Sequence, residues 1–192
     1  MSSTNRGYDR HKSDYYITPL QPIKEFLSVF LLDENITRPD RLIWLDPCSG
    51  GDKNNPMSYP TVIKEEFDPL IMTIDIREDS LAELKADYLL EEIKAPKPDI
   101  IITNPPFHLA KEIITKALDD VGNGRYVIML LRLNFWGSKD RNQWLKDNMP
   151  KYCYIHGFPR MSFTKDGGTD SIEYAHFVWQ KGTNKNTKII LL

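Results

Sequence analysis

Asn104-Pro105-Pro106-Phe107 follows directly on the isoleucine-rich run Asp99-Ile100-Ile101-Ile102-Thr103. A short β-branched run entered from Lys97-Pro98 reads as a buried parallel strand. Each proline lacks a backbone N–H, so the pair ends the hydrogen-bonded ladder. An amide, a stiff turn and an aromatic ring are thereby held at the carboxyl end of a strand, the edge where open α/β sheets bind ligands. The Asn104 side-chain oxygen and the carbonyls around the prolines are acceptors with no competing donor beside them in sequence. That cluster suits an exocyclic NH2 on a planar group, with the Phe107 ring stacking on the group itself. A strand followed by a proline-stiffened loop is the plainer reading of the tetrapeptide taken alone.

Two further strand ends carry polar chemistry. Arg41-Leu42-Ile43-Trp44-Leu45 reads as a strand that gives way to Asp46-Pro47-Cys48-Ser49-Gly50-Gly51. Adjacent glycines admit positive φ and let the backbone approach a ligand closely. Leu70-Ile71-Met72-Thr73-Ile74 is a second strand, closed by Asp75. An acid about one βα unit after a glycine-rich turn is placed to bind ribose hydroxyls. Taken singly, the glycine pair reads equally as a plain turn and Asp75 as a helix cap. Three strand ends in this order favour a nucleotide-type site.

The elements that must position these residues alternate between strand and helix. Ile23, Phe26, Leu27, Phe30 and Leu31 have helical spacing after Pro22. Helical patterns also span Tyr59 to Glu66, Ser80 to Lys85, His108 to Val121 and Asn142 to Asn148, and Gly122-Asn123-Gly124 stops the third of these. Arg125 to Leu133, Tyr152 to Ile155 and Tyr174 to Trp179 read as further strands. A mostly parallel α/β sheet in a single domain is the fold this pattern predicts. The first 13 residues are polar and read as a mobile segment.

Composition narrows the function classes. The chain has 192 residues, of which 41% are hydrophobic and 27% charged, ordinary values for a globular domain. The sequence shows neither a membrane-length apolar run nor the apolar core of a signal peptide, so a cytoplasmic location is the expectation. Cys48 and Cys153 form no CxxC pair and suit a reduced compartment, with no metal site expected. His11, His108, His156 and His176 are scattered and read as loop or core residues. Residues 1–124 hold 14 Lys and Arg against 22 Asp and Glu, a net of −8; residues 125–192 hold 11 against 5, a net of +6. The basic C-terminal third suits a polyanion, whereas the acidic part argues against broad wrapping of DNA.

With these motifs in order, residues 14–179 resemble the class I S-adenosylmethionine (SAM)-dependent amino-methyltransferases, which include the DNA adenine-N6 and cytosine-N4 enzymes. Asn104-Pro105-Pro106-Phe107 is similar to the catalytic signature of that family, and Asp46 to Gly51 to its glycine motif. Asp14-Tyr15-Tyr16-Ile17-Thr18-Pro19 resembles the N-terminal SAM-contacting segment. The stretches Phe158 to Thr164 and Glu173 to Trp179 are similar to small phage and prophage members in particular. The resemblance implies a Rossmann-like fold with a mostly parallel seven-stranded sheet flanked by helices, over residues 14–182, with 183–192 as a tail. It implies SAM contacts from Tyr16, Thr18, Pro19, Asp46, Pro47, Cys48, Gly50 and Asn104, with Asp75 on the ribose and Asp87 at the adenine amine. Asn104, Pro105, Pro106 and Phe107 would carry the chemistry, and Phe107, Arg160 and Phe163 would hold the substrate. Cys48 lies beside the glycine loop and not at the catalytic strand end, so it reads as packing and not as a nucleophile. Arg132 either faces the same cleft or pairs with an acid.

Adenine N6 in DNA is the acceptor this resemblance favours, since Ser-Pro-Pro is the commoner signature for cytosine N4. A base in duplex DNA must first be flipped from the stack. The same signature serves enzymes acting on RNA base amines or protein glutamine, and a SAM-fold protein that only binds or inhibits a partner is the reading from another class. Two departures stand out. Asp52-Lys53-Asn54-Asn55 lacks the further glycine of many relatives, and too few residues follow Asn148 for a separate target-recognition domain. Sequence choice would then fall to short loops, or to a partner protein or second copy.

Overall fold

The computed structural model describes residues 16–163, 172–183 and 186–192. Its centre is the apolar set read from the sequence. Strands β1 (Ile43–Asp46), β2 (Leu70–Asp75), β3 (Leu84–Lys85), β4 (Ile100–Thr103), β5 (Tyr126–Arg132), β6 (Tyr152–Ile155), β7 (Tyr174–Gln180) and β8 (Lys188–Leu191) form one sheet in the order β3-β2-β1-β4-β5-β7-β6-β8. The five strands from β3 to β5 run parallel, β7 is antiparallel to both β5 and β6, and β8 runs parallel to β6. All four residues of β4 are buried. That follows from its place at the middle of a sheet covered on both faces, where a continuous isoleucine run replaces alternation.

Side-chain alternation divides the core in two. Trp44, Ile100, Ile102, Ile128 and Leu130 face the helices α1 (Leu20–Asp33) and α2 (Ser58–Phe67), where Phe26 and Phe30 are fully buried. Leu45, Ile101, Val127, Met129 and Leu131 face α3 (Ala110–Asp120), which contributes Ile113, Ile114 and Ala117. A short α4 (Asn142–Asp147) adds Leu145 to this second face. Burying an aromatic such as Phe26 is worth about 3 kcal/mol over exposure, so α1 is held by its stripe and not by a cap; Pro19 at its N-cap offers no side-chain hydrogen bond.

The structure corrects the sequence reading in three places. The sheet has eight strands, not seven. The eighth, Lys188–Leu191, lies inside the stretch expected to be a tail and pairs with β6. Ser80 to Lys85 contains no helix: the Thr73 hydroxyl accepts the Glu83 N–H at 2.9 Å, and Leu84 and Lys85 pair with Ile74 and Asp75. Tertiary pairing there overrides the helical preference of Leu, Ala, Glu and Lys. The segment 1–13, Asp14, Tyr15 and the stretch Thr164 to Gly168 lie outside the described residues. Among the described residues no helix is long and apolar enough to cross a membrane.

Candidate active site

β1 and β4 are hydrogen-bonded neighbours, with Trp44 opposite Ile100 and Leu45 opposite Ile101. Their carboxyl ends therefore deliver Asp46 and Asn104 to the same edge, at the point where the strand order reverses. A cleft opens there, lined by Tyr16, Thr18, Asp46, Cys48, Ser49, Gly50, Gly51, Ser58, Tyr59, Asn104 and Pro106. Its enclosed part is only about 50 Å3. That is room for the small end of a ligand, so anything nucleoside-sized must extend along the open sheet edge.

The glycine loop is the most tightly tied part of the wall. Gly50 and Gly51 have φ of 64° and 73°. A Cβ on Gly51 would stand 2.7 Å from Met57 Cγ, so both conformation and space demand glycine. The Gly50 N–H donates to Asp75 Oδ2 at 2.7 Å, and the buried Arg77 guanidinium donates to the Gly51 carbonyl at 2.5 Å. The absent third glycine is replaced by a tight turn, in which Asp52 and Asn55 exchange both backbone hydrogen bonds and Asp52 Oδ1 accepts the Asn54 N–H.

Asp75 thus does something the sequence did not foretell. Its Oδ1 accepts the Arg77 N–H at 2.8 Å while Oδ2 holds Gly50, and it does not line the cleft. Asp87 is half-buried, accepts the Leu89 N–H at 3.0 Å and also lies off the cleft wall. Pro19 caps α1 and Pro47 is buried behind the loop. The cleft itself gathers Tyr16, Thr18, Asp46, Cys48, Gly50 and Asn104 from the expected set. Ser49 and Gly51 of the same glycine motif join them, as do Ser58 and Tyr59, which had no sequence signal of their own and begin α2 directly after the loop.

Electrostatics single out Asp46. Burial pushes its carboxyl up to about 7, against the pull of the Thr103 hydroxyl and the Cys48 N–H. Its Oδ2 is buried without a hydrogen-bond partner among the described residues. A carboxylate held this way gains from any ligand that brings a donor or a positive charge. Burial, reinforced by Asp46 and Asp75, raises the Cys48 thiol well above its ordinary value, which keeps it protonated and poorly nucleophilic. The Tyr59 hydroxyl is 2.8 Å from His176 Nε2, and His176 Nδ1 is 2.7 Å from His156 Nε2. Burial lowers both imidazoles, His156 to about 4, so both are neutral at pH 7 and each offers one donor and one acceptor. These two histidines are core residues that tie β6 and β7 to the cleft wall.

Asn104 is oriented by a single contact. Its Nδ2 donates to the Thr18 hydroxyl at 3.1 Å, and among the described residues neither its Oδ1 nor the Pro105 carbonyl accepts a hydrogen bond. Two acceptors are left at the strand end. Beyond them stands a series of aromatic rings. Phe107 lies 6.1 Å from Tyr174, Tyr174 4.7 Å from Phe163 and Phe163 6.4 Å from Tyr16, between ring centres. The Arg132 guanidinium covers the Phe107 ring at 4.5 Å and is paired with no acid among the described residues. Arg160 is instead engaged: it meets Glu173 at 2.8 Å on the exposed rim. Met161 is buried in the core, as packing.

No protein-family model and no curated protein sequence matches the chain. Solved structures do. A methyltransferase subunit of a type I restriction-modification system from Streptococcus thermophilus aligns with a TM-score of 0.67 at 14% identity, over 92% of this chain and 47% of that one. A Listeria monocytogenes protein assigned as a class I SAM-dependent methyltransferase aligns with 0.65 at 14% identity, over 91% and 64%. The fold is the class I methyltransferase fold. The Thermus thermophilus 16S rRNA N2 G1207 methyltransferase, solved with AdoMet and guanosine, shares it at a TM-score of 0.51 and 17% identity, over 85% and 44%. The chain thus spans between about two-fifths and two-thirds of the length of these neighbours.

Proposed function

We propose that the chain is a SAM-dependent N-methyltransferase acting on adenine N6 in DNA. The observation that carries this is the Asn104 amide, fixed by Thr18 at the rim of the glycine-loop cleft with its oxygen and the Pro105 carbonyl left open. The residues fit SAM as cofactor: the bare backbone of Gly50 and Gly51 admits close approach, and the buried Asp46 Oδ2 lacks a donor. Tyr16, Thr18, Asp46, Gly50 and Tyr59 would hold it. Bound SAM supplies an electrophilic methyl group.

The chain's own residues do the rest. Asn104 Oδ1 and the Pro105 carbonyl accept the two N–H groups of the acceptor amine, and pull its nitrogen out of conjugation with the ring. Those bonds strengthen as positive charge builds on nitrogen, so they favour the transition state over the ground state. Phe107 stacks on the ring and fixes its angle, and alignment supplies much of the remaining acceleration. No nucleophilic side chain is needed, which agrees with a protonated Cys48.

Nucleoside mass spectrometry of host DNA and RNA after expression tests the proposal. N6-methyladenine should appear in DNA with the wild-type chain and be absent with Asn104→Ala. Calorimetry should show SAM binding by both. Methylation confined to RNA would move the substrate; SAM binding with no methylated base in either pool would sink the nucleic-acid reading.

A further inference from the structure

We propose that Arg132 is a phosphate-binding residue of the acceptor site, holding the DNA backbone beside the base that stacks on Phe107. This rests on the methyltransferase reading above and names how its polyanionic substrate is gripped.

Arg132 is the last residue of β5, next to β4 in the sheet, so its side chain emerges at the same edge as Asn104. Most of the described arginines lie close to an acid. Arg77 lies near Asp75 and Asp79, Arg125 pairs with Asp99, and Arg160 pairs with Glu173. Arg132 has no carboxylate within ion-pair distance among the described residues, and its Nε is buried without a hydrogen-bond partner. Among the described residues its guanidinium meets the face of Phe107. An aromatic face compensates a guanidinium only in part, and a half-buried cation with an orphaned N–H is costly to keep without an anion.

Chemistry says which anion. Methylation of an amine moves positive charge onto the acceptor nitrogen, a few side chains from Arg132. An uncompensated guanidinium there opposes that charge. A phosphate brought by the substrate removes the opposition, and its oxygens match the planar fork of guanidinium donors. A neutral acceptor such as a glutamine side chain offers no such compensation.

The test uses the full chain, a fluorescent adenine-containing oligodeoxynucleotide and anisotropy across a salt series. Arg132→Gln should weaken binding about tenfold and lower the slope of log affinity against log salt by about one. Arg132→Lys should restore much of the slope, as a point charge, but not all of the affinity. Calorimetric SAM binding by each variant should match wild type and reports on folding; if Arg132→Gln fails to fold, Arg132→Lys and its intermediate affinity carry the test. An unchanged salt slope in a folded Arg132→Gln overturns the proposal while leaving the methyltransferase reading intact. Wild-type protein that binds SAM but neither DNA nor RNA overturns both. A slope loss seen with RNA alone overturns DNA as the source of the phosphate.

Discussion

The two walls of the cleft are built in opposite ways. On the proposed function the glycine-loop wall is the donor side, and most of its polar atoms are spoken for: Gly50 by Asp75, Gly51 by Arg77 and Ser49 by the Ile74 carbonyl, with Asp46 Oδ2 left open. On the acceptor side of that reading the contacts are ring faces, Phe107, Tyr174 and Phe163, with Arg132 laid over Phe107. Hydrogen bonds fix one geometry; ring faces accept any flat group. On the proposed function, the donor wall is therefore preorganised for one ligand, and the acceptor wall is tolerant of which flat group it meets. Selectivity for an NH2 is left to the two open acceptors between them.

The hardest blow to that division is Asn104→Ala. It removes the acceptor but leaves the donor wall tied, so kcat should fall by about 10²–10³-fold with SAM affinity nearly unchanged. Single-turnover methylation beside calorimetry reads both; a parallel loss of SAM binding would merge the two walls. Gly51→Ala attacks the donor wall alone. It forces a side chain into the left-handed region against Met57, at a cost of about 1–3 kcal/mol. Thermal unfolding should register that loss, and SAM binding should weaken while DNA binding holds.

Asp46 offers a gentler probe through pH. Its folded carboxyl titrates near 7, above its ordinary 3.8. The folded apoprotein therefore binds the proton more tightly than the unfolded chain. Stability from this group is greatest at low pH, declines as pH rises from about 4 to about 7, and is level beyond. Ligand binding runs the other way. If the carboxylate meets a positive group of SAM, affinity should drop about tenfold between pH 8 and pH 6 as the site protonates. Asp46→Asn should flatten both profiles. A pH-independent SAM affinity in the wild type would remove Asp46 from the donor site.

Strand ends were legible in the sequence because proline, glycine and acid punctuate apolar runs, and that punctuation is local. Asn104 and Asp46 were found this way. Tyr59, Arg77 and the His156–His176 pair were not, since each is tied by a side-chain hydrogen bond to a residue far along the chain. Asp75 shows the same limit from the other side. Its position was legible, but not that two backbone N–H groups would claim its carboxylate. The helical look of Ser80 to Lys85 and the brevity of Lys188–Leu191 misled for one reason: pairing partners, not local preference, decide short strands.

The smallest expected effect sharpens the acceptor wall most. Arg160 was expected to hold substrate, yet in the structure it is bound to Glu173, both half-exposed. An exposed pair of this kind contributes about 0–1 kcal/mol, so breaking it costs the fold little. Any phosphate that reaches Arg160 must nevertheless outcompete the acid first. Glu173→Gln removes the competitor and keeps the shape. If Arg160 serves the substrate, DNA should bind about two- to fourfold tighter to this variant, more so at low salt, with stability within about 0.5 kcal/mol of wild type. If affinity is unchanged across the salt series, Arg160 only tethers the rim, and the burden of the DNA backbone falls on Arg132.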